Sequence, residues 1–364
     1  MQPAPSSKLP DVGTTIFTVM SQLAADHGAA DLSQGFPDFS APDGLLERVS
    51  YHLKAGHNQY APMAGLPALR AEIARKTETL YGRPTDADSE VTVTSGATEG
   101  LFSAIEAFVH PGDEVIVFDP AFDSYDPAIR LAGGQARHLP LTGEDFAIDW
   151  QRVSDKLGAR TRMLIINNPH NPTGAVLADR DNAALRELLD RHDLLVLADE
   201  VYEHMVYDGR EHLSLLRYPD IAARSITVSS FGKTYHATGW KIGYVVAPPE
   251  LTLEFRRIHQ FVQFCVATPL QYALADFLAS DPQHYLELAD FYQAKRDRFC
   301  ALMADSRFRL RPSAGTYFQL ADYTGVSALA DVEFSRELTT RRGVGCIPVS
   351  VFQAEVPTDQ RLLR

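Results

Sequence analysis

From residue 90 the chain alternates short β-branched runs with stretches of helical period, and that alternation restricts the fold more than any other feature. Val91-Thr-Val-Thr94 leads through SGATEG into an apolar helical stretch to about Val109, and Glu114-Val-Ile-Val-Phe118 precedes another through Leu131. Met163-Leu-Ile-Ile166, Leu194-Leu-Val-Leu197 and Ile226-Thr-Val228 repeat the pattern, and Ile242-Gly-Tyr-Val-Val246 adds a further strand-like run. Strands separated by helices line up in a parallel sheet with right-handed crossovers. The expected class is α/β, a mostly parallel sheet between helices, joined to a smaller α+β part.

The flanks supply that smaller part. Residues 1–13 read as an extended arm, and Thr14 can cap a helix to about His27 with Phe17, Met20, Leu23 and Ala24 on one face. Gln34-Gly-Phe-Pro-Asp38 is a turn; Gly35 could let backbone approach a ligand, although a plain turn is the commoner reason for such a glycine. Helices are expected at about 43–55 and 65–81, the second burying Leu66, Leu69, Ile73 and Leu80 as core. Beyond Pro248 amphipathic helices run to about Met303, then a short strand at Tyr317-Phe-Gln-Leu320 and a helix near 331–342. The expected division is a large domain over 40–280 and a small one made of 1–39 with 281–364.

A chain of 364 residues that is 45% hydrophobic can bury one large core and one smaller core. The formal net charge of −13 argues against nucleic acid or an anionic membrane as partner. Cys265, Cys300 and Cys346 lie far apart without metal-ligand spacing, so they read as reduced thiols and no metal is expected. The opening MQPAPSSKLPDVG has no apolar core of a signal peptide, and no run approaches 18 apolar residues. A cytoplasmic location is expected.

The chemistry-bearing stretch is Ser229–Tyr244, SSFGKTYHATGWKIGY. A lone lysine in a Gly/Ser turn is usually a solvated charge. Here Ser230 lies three residues before Lys233 and Lys241 lies eight after it, a grouping suited to an anionic ligand. A second cation beside a lysine favours the neutral, nucleophilic amine. GKT also ends a P-loop, but the glycine required five positions before Gly232 is Thr227. The run LLVLADE, which ends at Glu200, precedes this turn, the reverse of P-loop order, so nucleotide hydrolysis is excluded. In an open parallel sheet ligands bind beyond the carboxyl ends of the strands. Gly96-Ala97-Thr98, Phe122, Asn171, Asp199 and Lys233 all follow or end a strand. Singly, each has a plain reading: Thr98 a cap, Phe122 core, Asn171 a turn residue, Asp199 a cap or metal ligand. Their joint placement at one end of one sheet favours a site.

From about Thr14 onward the sequence resembles the class I/II aminotransferases of fold type I, which use pyridoxal 5'-phosphate, and within them the branch of methionine and kynurenine/glutamine enzymes. The resemblance implies that Lys233 joins the cofactor's aldehyde and later moves the substrate's α-proton. It implies that Asp199 pairs with the protonated ring nitrogen and that Tyr202 and Asn171 donate to the ring's phenolate oxygen. Phe122 would stack on the ring. Ala97, Thr98, Ser230 and Lys241 would hold the phosphate, Lys241 standing where many relatives carry arginine. Tyr60, in NQYAPMAGLPALR, would reach the phosphate of the neighbouring subunit in a homodimer. Gly35 would meet the substrate through its backbone, and Arg364 would grip the α-carboxylate. Phe17, with Ile16, could wall an apolar side-chain pocket.

The activity this implies is transfer of an α-amino group from an apolar, sulfur-containing or aromatic amino acid to a 2-oxo acid by ping-pong chemistry, with methionine, glutamine and kynurenine as candidate donors. A cysteine-conjugate β-lyase on the same fold is the rival within enzymes. A non-catalytic sensing module is the rival outside them, and it calls for a helix-turn-helix ahead of the fold and a basic surface. Relatives run on for roughly 20 residues past the position of Arg364, so a longer native chain is expected, with Arg364 prone to fray as the last residue.

Overall fold

The computed structural model describes residues 6–364; positions 1–5 of the arm expected at 1–13 lie outside them. In chain order the first strands are β1 (Ala30–Asp31), β2 (Val91–Thr94), β3 (Glu114–Asp119), β4 (Gln135–Pro140), β5 (Thr161–Asn167) and β6 (Leu195–Asp199). Next come β7 (Ser225–Ser230), β8 (Gly243–Val246), β9 (Arg309–Leu310), β10 (Ala321–Asp322), β11 (Val344–Gly345) and β12 (Leu362–Leu363). A seven-stranded sheet in the order β2-β8-β7-β6-β5-β3-β4 forms the centre. β8 runs antiparallel to both its neighbours and every other pair is parallel. The carboxyl ends of β2, β3, β5, β6 and β7 therefore share one edge.

The central strands are buried along their length because both sheet faces are covered, and the edge strand β4 is the exception. Period-2 alternation sends Val115 and Val117 into a core with Leu101, Ile105 and Phe108 of α4 (Gly96–Phe108) and with Phe255. Ile116 and Phe118 point the other way, into a core with Leu185, Leu188 and Leu189 of the helix Asp179–Arg191. A third cluster joins β2 and β8 to α2 (Asp43–Lys54) and α3 (Pro67–Tyr81) through Leu45, Leu69 and Ile73. Gly100 lets α4 lie close on the sheet: a Cβ there would come within 3.2 Å of Val228 and Val245 side chains.

The flanking segments meet each other. α1 (Ile16–His27) buries Met20 with Ile347 and Phe352, and β1 pairs in parallel with β11. Among the described residues no helix is long and apolar enough to cross a membrane.

Three local expectations need correction, and one strand escapes the sequence pattern. Thr15, not Thr14, caps α1, its Oγ1 accepting from the Thr18 amide at 3.4 Å. β4 carries no hydrophobic signature because it is an edge strand: only Leu139 is buried, and Arg137 turns out to Glu114 at 2.8 Å. Tyr317–Leu320 is not a strand. Thr316 sits at φ +61° and its Oγ1 takes the Phe318 amide, while the Gln319 side chain bonds Arg311 and Leu320 carbonyls, so the run is bent out of extension. Arg364 does not fray, because its backbone exchanges hydrogen bonds of 2.8 and 3.0 Å with Ile347.

His138 on β4 ties the sheet to the C-terminal segment. Its Nδ1 lies 2.7 Å from Asp119 Oδ1 and its Nε2 3.7 Å from Asp126 Oδ1, while Asp119 Oδ2 accepts the Ala354 amide at 2.8 Å. The two carboxylates raise the imidazole pKa to about 9. A raised histidine stabilises the fold fully below its unfolded pKa of about 6.5, and that contribution is lost as pH climbs through about 9. Wild-type melting temperature should therefore fall between pH 7 and 10, partly through this group. His138→Gln should cost on the order of 1–2 kcal/mol at pH 7 and flatten that slope. Equal slopes in thermal melts of the two proteins would refute the assignment.

Candidate active site

The parallel strand ends open into a cleft of about 270 Å³. At one end is the start of α4, whose first-turn amides have no partner within the helix. Its N-cap Ser95 contributes no side-chain hydrogen bond, so Ala97 and Thr98 present the cleft with a positively polarised helix end. Lys241 extends its ammonium to 3.4 Å from Thr98 Oγ1. Burial lowers its pKa first, and the charge of Lys233 lowers it further. Two glycines permit this approach. A Cβ on Gly96 would lie 3.2 Å from Lys241 Nζ, and one on Gly243 would lie 2.9 Å from the Ala97 nitrogen. Ser230 completes this end, its Oγ accepting the Gly232 amide at 3.2 Å.

Asp199, the last residue of β6, lies opposite and is 3% exposed. Burial raises its carboxyl pKa to about 6, against the hydrogen bond from Tyr125, whose Oη donates to Oδ2 at 2.6 Å. Among the described residues no cationic side chain forms an ion pair with it. The next residue, Glu200, points elsewhere, to His212 Nε2 at 2.9 Å and the Leu215 amide at 3.0 Å. Asn167 Nδ2 donates to the Asp199 carbonyl at 2.9 Å, and Asn167 Oδ1 accepts the Asn171 amide at 2.6 Å. Phe122 lines the cleft and meets Tyr125 edge-on at 5.7 Å between ring centres. Tyr202 is buried in the same wall, and burial raises its phenol well above the usual value.

Lys233 lies between the two ends, on the single helical turn Phe231–Thr234. Its Nζ donates to the Gly35 carbonyl at 2.6 Å and to Tyr317 Oη at 2.8 Å, and Tyr317 Oη also donates to that carbonyl. Arg364 closes the far side. It is 8% exposed, and its guanidinium donates to Asn171 Oδ1 at 3.1 Å and to the Ser33 carbonyl at 3.0 Å. The guanidinium carbon lies 3.9, 5.1 and 5.8 Å from the ring centres of Phe318, Phe17 and Phe352. Burial lowers its pKa to about 10, so it stays charged at neutral pH, and among the described residues no carboxylate pairs with it.

The residues singled out in the sequence line this cleft except Tyr60 and Ile16, the latter packing against the Met20, Ile347 and Phe352 cluster instead. Tyr60 is 83% exposed and packs edge-on against Phe264 at 5.3 Å. Sequence reasoning missed Tyr125, Asn167, Tyr317 and Phe318. Tyr125 was within reach, three residues after Phe122 at a helix start. Tyr317 carried no local signal, because Lys233 and Gly35 lie 84 and 282 residues away in the chain.

The family description "Aminotransferase class I and II" matches residues 29–364. Methionine aminotransferase of Escherichia coli (strain K12) is 52% identical over 360 residues, covering 99% of this chain and 93% of that protein. Kynurenine–oxoglutarate transaminase 3 of Mus musculus is 32% identical, covering 95% of this chain and 82% of that protein. The crystal structure of YbdL from Escherichia coli, described with a methionine aminotransferase function, superposes with a TM-score of 0.97 at 52% identity over 99% of this chain and 94% of that one. Geometry, family description and near full-length identity agree: the chain belongs to the class I and II aminotransferases, enzymes that work with pyridoxal 5'-phosphate.

Proposed function

We propose that this aminotransferase takes the α-amino group of an apolar, sulfur-containing or aromatic amino acid, methionine first, and delivers it to a 2-oxo acid. One observation carries the substrate class: among the described residues the charged side chains lining the cleft are Asp199, Lys233, Lys241 and Arg364. Each has a partner in a cofactor–amino acid pair, which leaves no cation for an acidic substrate side chain. The remaining walls include Phe17, Phe36, Val201 and Phe318, which suit a thioether or a ring. Gln34 adds one neutral polar contact that could serve glutamine or kynurenine.

The residues present fit pyridoxal phosphate. The helix end at Ala97–Thr98, Ser230 and Lys241 suit a phosphate, and Asp199 is a buried carboxylate with no cation of its own. When bound, the cofactor supplies an electrophilic aldehyde and an electron-accepting ring. Asp199 supplies the negative charge that keeps a ring nitrogen protonated. Phe122 offers a flat wall, and Tyr202 and Asn171, which line the same cleft, would hydrogen-bond the ring oxygen. Arg364 fixes the substrate carboxylate in two-point fashion and thereby orients the α-C–H bond. Gly35 borders the substrate through its carbonyl. Lys233 takes the proton from the substrate's α-carbon, and its place beside the Tyr317 hydroxyl and the Gly35 carbonyl holds the amine in reach.

The same reading makes the protein a cytoplasmic homodimer with shared sites. Tyr60 and Phe264 form an exposed aromatic pair, a surface suited to a second copy whose phosphate Tyr60 would reach. It also keeps the division into a large cofactor-binding domain over 40–280 and a small one of 1–39 with 281–364, supported by the β1–β11 pairing and the Phe17–Phe352 contact.

The test is a panel of single amino acids added to the holoenzyme, followed by the bound cofactor's absorbance. Methionine and the aromatic amino acids should react fastest, and aspartate at least about tenfold more slowly, the cost of leaving a carboxylate unpaired in an apolar pocket. A panel led by aspartate or lysine would overturn the substrate assignment.

A further inference from the structure

Tyr125 has no role in the mechanism above, yet among the described residues it is the one side chain bonded directly to the Asp199 carboxylate. It opens the helix α5 (Tyr125–Leu131) and is 3% exposed. Its phenol donates to Asp199 Oδ2 at 2.6 Å, within the range of a charge-assisted hydrogen bond. The other oxygen, Oδ1, has only a long 3.4 Å contact from the Val201 amide. The carboxylate is thus held on one side and free on the other. Tyr125 also meets Phe122 edge-on, so one ring braces both the acid and the aromatic wall of the cleft.

We infer that Tyr125 is a positioning residue for the reaction: its hydroxyl fixes Asp199 through Oδ2, turns Oδ1 toward the cofactor ring, and keeps the acid–ring pair in its charged form. This rests on the reading of Asp199 as partner of the ring nitrogen. The direction follows from acid–base chemistry. A donor to a carboxylate stabilises the anion, so removing it makes the oxygen more basic and draws the ring proton across to a neutral pair. Desolvation of Asp199 pushes the same way, and Tyr125 is the largest influence opposing it. The other charged or titratable groups facing this pair are Glu200, Lys233, Tyr202 and Asp123. Of these Glu200 works against ionisation of Asp199 and Lys233 in favour of it, and both stay in place in a Tyr125 variant.

The experiment uses holoenzyme loaded with cofactor carrying ¹⁵N in the ring. Wild type, Tyr125→Phe and Asp199→Asn are compared by the ¹⁵N resonance between pH 6 and 8.5, and by the cofactor dissociation constant. The wild-type nitrogen should read as protonated throughout. In Tyr125→Phe it should move toward the unprotonated position, with cofactor binding weakened about tenfold, the loss expected for one hydrogen bond to a charged group. A merely structural role would lower the melting temperature and leave the nitrogen protonated, which would overturn the proposal. Asp199→Asn separates the two claims. If it shifts the nitrogen and Tyr125→Phe does not, the role of Tyr125 fails alone; if neither does, the ring-nitrogen reading of Asp199 fails. Should Tyr125→Phe not fold, ¹³C labelling at tyrosine Cζ gives a second readout. The Tyr125 resonance should move on Asp199→Asn, and an unmoved resonance would equally overturn the proposal.

Discussion

Lys233→Ala is expected to lower turnover by at least about 10⁴-fold, the upper range for a single proton-transferring group. Among the described residues Lys233 and Lys241 are the amines lining the cleft, and the proposed mechanism gives Lys233 two tasks. The loss should be chemical and not structural. Removing the amine leaves the Gly35 carbonyl still accepting from Tyr317, so no buried acceptor is orphaned and the melting temperature should hold. Borohydride treatment of wild-type holoenzyme should leave cofactor on the peptide that contains Lys233. Label on any other lysine would remove the basis of the assignment. Mixed with an inactive Tyr60→Ala chain, the inactive Lys233→Ala chain should regain part of the activity, because a hybrid dimer has one site with both residues intact. No recovery despite proven subunit exchange would mean that each site is built from one chain.

Asp199→Asn should have the next largest effect, with opposite signs on activity and stability. An amide cannot neutralise a ring cation, so kcat should fall by on the order of 10²-fold or more while KM changes little. Stability should move the other way in protein freed of cofactor. The Asp199 pKa is raised from 3.8 to about 6 by burial, so the folded chain holds a proton that the unfolded chain has released across that window. Stability then declines as pH rises from about 4 to about 6, and above it the ionised group costs about 3 kcal/mol. Asp199→Asn removes that cost, so the cofactor-free variant should melt higher than cofactor-free wild type at pH 7.5. Thermal melts with and without cofactor check both halves. A variant with near-normal turnover, or one that melts lower without cofactor, would reduce Asp199 to a structural residue.

The Lys241 position carries a related point. A lysine here offers a point charge in place of a planar fork, and its ammonium lies near Thr98 where a Cβ on Gly96 would crowd it at 3.2 Å. The geometry of the anion-binding end is therefore set as much by two glycines as by the cation.

The sequence by itself determined the α/β class, the strands β2, β3, β5, β6 and β7, and the set of residues at their carboxyl ends. It could do so because those strands are buried on both faces and read as short β-branched or apolar runs, so the charged and amide residues that follow them stand at a tip. The edge strand β4 escaped for the converse reason: one side of it faces solvent, and its residues are chosen for charge pairing and not for burial. Lys233, Asp199 and Asn171 were legible because local spacing and one sheet edge bring them together. Tertiary structure alone decided the rest. Tyr317 reaches Lys233 across 84 residues, and Arg364 reaches Asn171 across 193, and no periodicity reports a contact between a C-terminal segment and a strand tip. The hydrogen bond from Tyr125 to Asp199 spans 74 residues. It was hidden because a tyrosine at a helix start looks the same whether its hydroxyl meets water or a buried carboxylate.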